Sequence, residues 1–175
     1  MQSSKSTKTN AELKREIAGL KLQVTHWKGR VAAIEARLAV TLPILSLQFD
    51  GKPVRLIVHQ SKPLVQAADV IEHLAGVPKK YPGRRGPGFI DRLRRAGLGA
   101  REAVGLKSDE LADNFGTTRM HLCHALGRGA KTSDLGFVTA LGIETLRDRA
   151  PEFCAWVERE AFPAVITRFG KGGAA

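Results

Sequence analysis

The sequence predicts an α+β protein: small β-hairpins packed with short helices, preceded by a long N-terminal coiled-coil helix. Three observations predict it. Apolar residues recur at alternating spacings of four and three from Leu13 to Leu38. Asp50-Gly51 stands between two runs of alternating apolar residues, a hairpin signal. From Thr139 onward the chain reads as two helices. The 175 residues suffice for one compact domain with an appendage, and 43% hydrophobic with 26% charged residues is the composition of a folded chain.

Residues 1–10 (MQSSKSTKTN) are polar and predict a disordered tail. A coiled-coil oligomerisation helix is expected over 11–42. Leu13, Ile17, Leu20, Val24, Trp27, Val31, Ile34 and Leu38 hold a heptad register, whose period of 3.5 specifies a left-handed supercoil. Thr9 or Asn10 can cap the helix, Glu12 suits its first turn, and Pro43 ends the pattern. Ile17, Val24, Val31 and Leu38 fall at a; Leu13, Leu20, Trp27 and Ile34 fall at d. β-Branched residues at a favour a parallel dimer. Glu16 would then meet Lys21 of a second copy, and Arg30 its Glu35. Trp27 and Ile34 at d leave a trimer or tetramer open. Gly19 and Gly29 lie on the outer face.

A globular domain is expected over 44–170. Ile44, Leu45, Leu47 and Phe49 lead into a loop read as Asp50 to Pro53, and Val54, Leu56 and Val58 follow. Residues 67–75 form a short helix closed by Gly76 and Pro78. Between Lys79 and Glu102 stand eight cations, Lys79, Lys80, Arg84, Arg85, Arg92, Arg94, Arg95 and Arg101, against Asp91 and Glu102, a balance of +6. The first half of this stretch is a Gly/Pro-rich loop. The second, Phe89 to Ala96, is a helix with Phe89, Ile90 and Leu93 buried and arginines on the rest. Residues 108–128 fit either a helix-turn-helix, with Leu111-Ala112, Gly116 at the turn and Leu122, or a strand in which Met120, Leu122, His124 and Leu126 alternate. The strand is preferred, followed by a hairpin loop at 127–131 and a strand over Leu135–Val138. Of the final helices, the first spans Thr139–Arg147. The second has Pro151 near its start, an apolar face of Phe153, Trp156, Val157, Ala161 and Ile166, and a kink or restart at Pro163. Residues 171–175 read as a second disordered tail.

The net charge of +11 suits a polyanionic partner, nucleic acid first. A mobile cationic loop followed by an Arg-rich helix suits phosphate contact. The expected double-stranded DNA contacts are Lys79, Lys80, Arg84, Arg85, Arg92, Arg94 and Arg95, joined by Arg119, Arg128 and Lys131. No stretch of 18 apolar residues occurs and the first ten carry no apolar core, so neither a membrane partner nor a secretory signal is expected. Cys123 and Cys154 form no CxxC pair; with His121 and His124 they lack a second ligand pair at zinc-finger spacing, and Cys154 reads as a small core residue. No GxSxG, HExxH or phosphate-loop motif is present, so a non-enzymatic protein without cofactor is expected.

Phe153, Trp156, Val157, Glu160, Ala161, Phe162, Pro163, Ala164, Val165 and Ile166 follow one another as in F-x-x-W-V-x-x-E-V-L-P-x-I-R. That motif closes the Bro-N domain of phage antirepressors and viral DNA-binding proteins, which residues 44–170 resemble. Phe49, Gly51, Val54 and Arg55, then Ala67-Ala68-Asp69-Val70, are similar to that family's opening hairpin and helix. Residues 77–118 are longer and more basic than the family segment, and the coil lies outside it. The resemblance implies DNA binding and regulation of phage or prophage genes in the cytoplasm of a bacterial host. It implies no catalytic residue, and it makes Trp156 and Pro163 fold-building. The alternative is an antirepressor or anti-defence protein that sequesters a repressor.

Overall fold

The computed structural model describes residues 9–38, 41–77, 88–130 and 132–170, with side chains to residue 36 in the first helix. The predicted tails at 1–8 and 171–175 lie outside the described residues. So do Lys79, Lys80, Arg84, Arg85 and Lys131 among the predicted DNA contacts, and the side chain of Leu38. The chain divides into two units, residues 1–40 and 41–175.

The first unit is one helix, α1 (Asn10–Leu38). It starts inside the segment read as a tail, because Thr9 and Glu12 close a capping box. The Thr9 N–H donates to the Glu12 carboxylate at 2.8 Å, and the Glu12 N–H donates to the Thr9 hydroxyl at 3.4 Å. Leu13, Ile17, Leu20, Val24, Trp27, Val31 and Ile34 are 43–57% exposed. The Arg30 guanidinium lies 4.9 Å from the Trp27 ring centroid.

The second unit is α+β, as the sequence predicts: β1 (Ile44–Phe49), β2 (Lys52–His59), β3 (Lys62–Gln66), α2 (Ala67–His73), α3 (Phe89–Arg95), β4 (Ala103–Lys107), α4 (Ser108–Asn114), α5 (Arg119–Ala125), β5 (Asp134–Val138), α6 (Ala140–Thr145), α7 (Pro151–Trp156) and α8 (Phe162–Phe169). The five strands form one antiparallel sheet in the order β1-β2-β3-β5-β4. Leu56, Val65 and Val138 face a core shared with α2, α3, α6, α7 and α8; Ile57, Leu64, Leu135 and Phe137 face a second core capped by α4 and α5. Alternation along each strand therefore feeds two apolar layers.

Two hairpins build the first three strands. The first loop is Asp50-Gly51 alone, both at positive φ, and not the four residues to Pro53: Phe49 pairs with Lys52, and Pro53 already sits opposite Gln48. The second turns through Gln60 and Ser61, at φ 49° and 61°, a pair of non-glycine residues that no sequence signal marked. It creates β3, which the sequence reading lacks, as it lacks β4.

The strand preferred for residues 108–128 is not there. The segment forms α4, a turn at Gly116 (φ 63°) and α5. The Thr118 hydroxyl accepts the His121 N–H at 3.2 Å and fixes the start of α5. Leu122 and Leu126, four apart, both enter the second core, so their even spacing served a helix. His121 and Cys123 consequently do not share a strand face: His121 Nδ1 bonds the Thr117 hydroxyl at 3.0 Å, and Cys123 is buried. The element before β5 is the helix α5, so the hairpin loop expected at 127–131 does not join two strands.

At the end of the chain a π-turn (Val157–Ala161) joins α7 to α8. Pro163 cannot donate, and its ring crowds the carbonyl four residues back; the widened turn relieves that crowding. Phe153, Val157, Ala161 and Val165 line the core, whereas Ile166, read as apolar-face, is 44% exposed. Trp156 packs on Phe49 and Phe153, at centroid distances of 5.1 and 6.3 Å. No helix among the described residues is long and apolar enough to cross a membrane.

Candidate nucleic-acid interface

Helix α3 carries Arg92, Arg94 and Arg95 of the basic stretch, and Arg101 stands in the turn before β4. Leu93 is fully buried, and the helix packs on α2, β4 and β5. Arg94 and Arg95 are exposed at its last turn, where cations complement the helix dipole. Asp91 lies 3.9 Å from Arg94, an exposed pair of little energetic weight. Arg92 differs from its neighbours. It is buried, on the side the sequence reading gave to Phe89, Ile90 and Leu93, and its guanidinium lies 4.4 Å from the centroid of the Phe89 ring. Arg128, from the connection after α5, lies 4.1 Å from the same centroid. Two of the predicted contacts, far apart in sequence, thus share one aromatic ring.

The connection is pinned in place by groups the sequence reading did not assign to a site. The Arg55 backbone N–H donates to one Asp69 oxygen at 2.8 Å, and its Nη1 donates to the other at 2.8 Å. Gln66 Nε2 donates to the Leu126 carbonyl at 2.9 Å. Gly127 (φ 64°) lies so close that a Cβ there would stand 2.8 Å from Arg55 Nη2. Only a glycine meets both the conformation and the approach. A signal for Arg55 existed: it is the one charged residue in the apolar run from Val54 to Val58. Its partner Asp69, in Ala67-Ala68-Asp69-Val70, is also buried.

Arg55 and Arg128 therefore lie by the Asp69 carboxylate, and Arg92 lies by Arg128. Burial pushes the Arg128 pKa below its ordinary value. Arg92 and Arg55 push in the same direction, while Asp69 opposes them. For Asp69, burial pushes its carboxyl up against the Arg55 hydrogen bonds.

The α4–α5 pair has the shape of a helix-turn-helix. Leu111, Ala112 and Leu122 are buried, and Arg119, Met120 and His124 are exposed on α5. Its charge is less suited to DNA. Asp109, Glu110 and Asp113 are exposed on α4, and Arg119 Nη1 lies 3.3 Å from Asp109 Oδ2. Arg119 thus belongs to an acidic helix pair, ion-paired to Asp109. Among the described residues no three His, Cys, Asp or Glu side chains are grouped to hold a metal ion.

Compared with known proteins, the chain matches no family model, no curated protein and no solved structure.

Proposed function

We propose that the chain is a DNA-binding regulator of phage or prophage gene expression. In this reading α3 and the connection after α5 contact DNA phosphates, and α1 joins copies of the chain. The observation that carries it is the convergence of Arg92 and Arg128 on Phe89, beside the exposed Arg94 and Arg95. Guanidiniums layered on a ring are held in one orientation, and planar, oriented donors match phosphate oxygens. The likeness of residues 44–170 to Bro-N domains supports the same reading. Self-association rests on the seven half-exposed stripe residues of α1, which a second helix would cover.

The test is binding of random-sequence duplex DNA across a salt series, read by fluorescence anisotropy, with an Arg94→Ala/Arg95→Ala variant alongside. Phosphate contact requires affinity to fall steeply with salt, and the variant to bind more weakly with a shallower slope. Affinity indifferent to salt would contradict it.

A second reading is favoured by α4. Its exposed Asp109, Glu110 and Asp113 suit a basic partner, such as the DNA-binding surface of a repressor, better than DNA itself. Recovery of a repressor with the protein after nuclease treatment, lost on changing these three to Asn, Gln and Asn, would support sequestration.

A further inference from the structure

Beside the layered arginines lies a cleft of about 510 Å³. Phe89, Arg92 and Arg128 line it, together with Gly105, Leu135 and Gly136. Its volume falls within the roughly 300–1,000 Å³ of small-ligand sites. Gly105 on β4 pairs directly with Gly136 on β5, so this pair places bare backbone in the cleft. The two glycines differ in use. A Cβ on Gly136 would meet Ile90 Cδ1 at 3.0 Å, whereas one on Gly105 would meet nothing within 4 Å. Gly136 lets α3 approach, and Gly105 leaves open space on the edge strand. Two carboxylates also border the cleft, and each faces a cation of its own. Asp134 lies 2.6 Å from Lys107, and Asp91 lies 3.9 Å from Arg94.

We infer that this cleft binds a nucleoside monophosphate unit, its phosphate on Arg128 with Arg92 alongside, and its base flat on the backbone at Gly105. Guanidinium offers paired N–H donors that match phosphate, and a strand glycine without a neighbour over it lets a flat group approach the backbone closely. An anion there also offsets the burial of Arg128 and the repulsion it feels from Arg92. A free nucleotide and a nucleotide unstacked from DNA present the same chemistry. The inference goes beyond the DNA-binding reading and does not depend on it.

The test is calorimetric titration of the full chain with AMP, adenosine and inorganic phosphate at low salt. AMP is expected to bind about tenfold or more tighter than either fragment, since base and phosphate each contribute. Gly105→Val puts a strand-favouring side chain into open space and removes no charge, so it closes the cleft in a folded protein. It is expected to weaken AMP binding about tenfold or more, as is Arg128→Gln. Thermal melts identify any variant that fails to fold, and the Arg128 variant then decides. Strict competition between AMP and single-stranded DNA would identify the ligand as a nucleotide of the nucleic acid; AMP binding that persists with DNA saturated would identify it as free. No AMP binding, AMP no tighter than phosphate, or unchanged affinity in a folded Gly105→Val protein would each overturn the inference. Duplex binding without AMP binding overturns this inference alone, and AMP binding without duplex binding overturns the DNA reading alone.

Discussion

Leu20 in α1 is 54% exposed, while Leu56 in β2 is fully buried. The contrast runs through both units: every described stripe residue of α1 is about half in water, and the sheet buries apolar residues on both of its faces. Fully burying one such side chain stabilises by about 1.5–3 kcal/mol. The second unit collects that stabilisation from its own residues. The first, a helix of 29 residues, does not, and helices in proteins gain most of their stability from packing an apolar face. One unit is organised by its own core; the other leaves its apolar stripe half exposed.

The largest effect expected is in the second unit. Phe137→Ala empties a fully buried site between β5 and α4–α5 and should cost about 3–5 kcal/mol in urea unfolding. Ile17→Ala in α1 should leave the same transition within about 0.5 kcal/mol. Equal losses would erase the contrast between the units.

Changing Leu20 and Val24 together to Asp places charge in the α1 stripe. Sedimentation equilibrium should then give the mass of a single chain, while the intact protein gives a multiple of it. A single-chain mass for the intact protein would remove the coil from the account of α1.

Thr118→Ala removes the cap of α5 and should cost about 1 kcal/mol of the second unit's stability. Thr9→Ala, its counterpart in α1, should leave that transition unmoved and lower helix content by circular dichroism.

The last effect is pH-dependent. Burial, with Glu158 adding to it, pushes the Cys154 thiol up to about 11 from an ordinary 9.0. A pKa raised by folding gives stability that is present below the ordinary value and lost as pH rises through the shifted one. Between pH 9 and 11 the Tm of the intact protein should therefore fall further than that of Cys154→Ala. Parallel curves would show that the thiol contributes nothing.

What was legible in the sequence follows from how local each signal is. The helix α1 was written in one unbroken register, and the first hairpin in Asp50-Gly51. Helix α3 and strand β5 were placed within a residue or two. The second hairpin was hidden, because Gln60 and Ser61 take positive φ without being Gly, Asn or Asp. Residues 108–128 misled because Leu122 and Leu126 satisfy periods of two and of four alike; Thr118 and Gly116 held the deciding information. At the candidate interface the cations were legible as a density of charge. That Arg92 turns inward and that Arg128 meets it on Phe89 are tertiary matters; Arg128 follows Gly127, which approaches the Asp69-paired Arg55.

The most direct test of a division between a joining helix and a DNA-contacting domain is the salt slope of duplex binding, with and without the Leu20→Asp/Val24→Asp change. The slope of log K against log salt is about −0.9 per phosphate neutralised. If paired copies bind together, the intact protein should show about twice the slope of the coil-broken one, and tighter binding at every salt concentration. Equal slopes and affinities would show that α1 plays no part in DNA binding, and no measurable slope in either would show that the basic surface serves another partner.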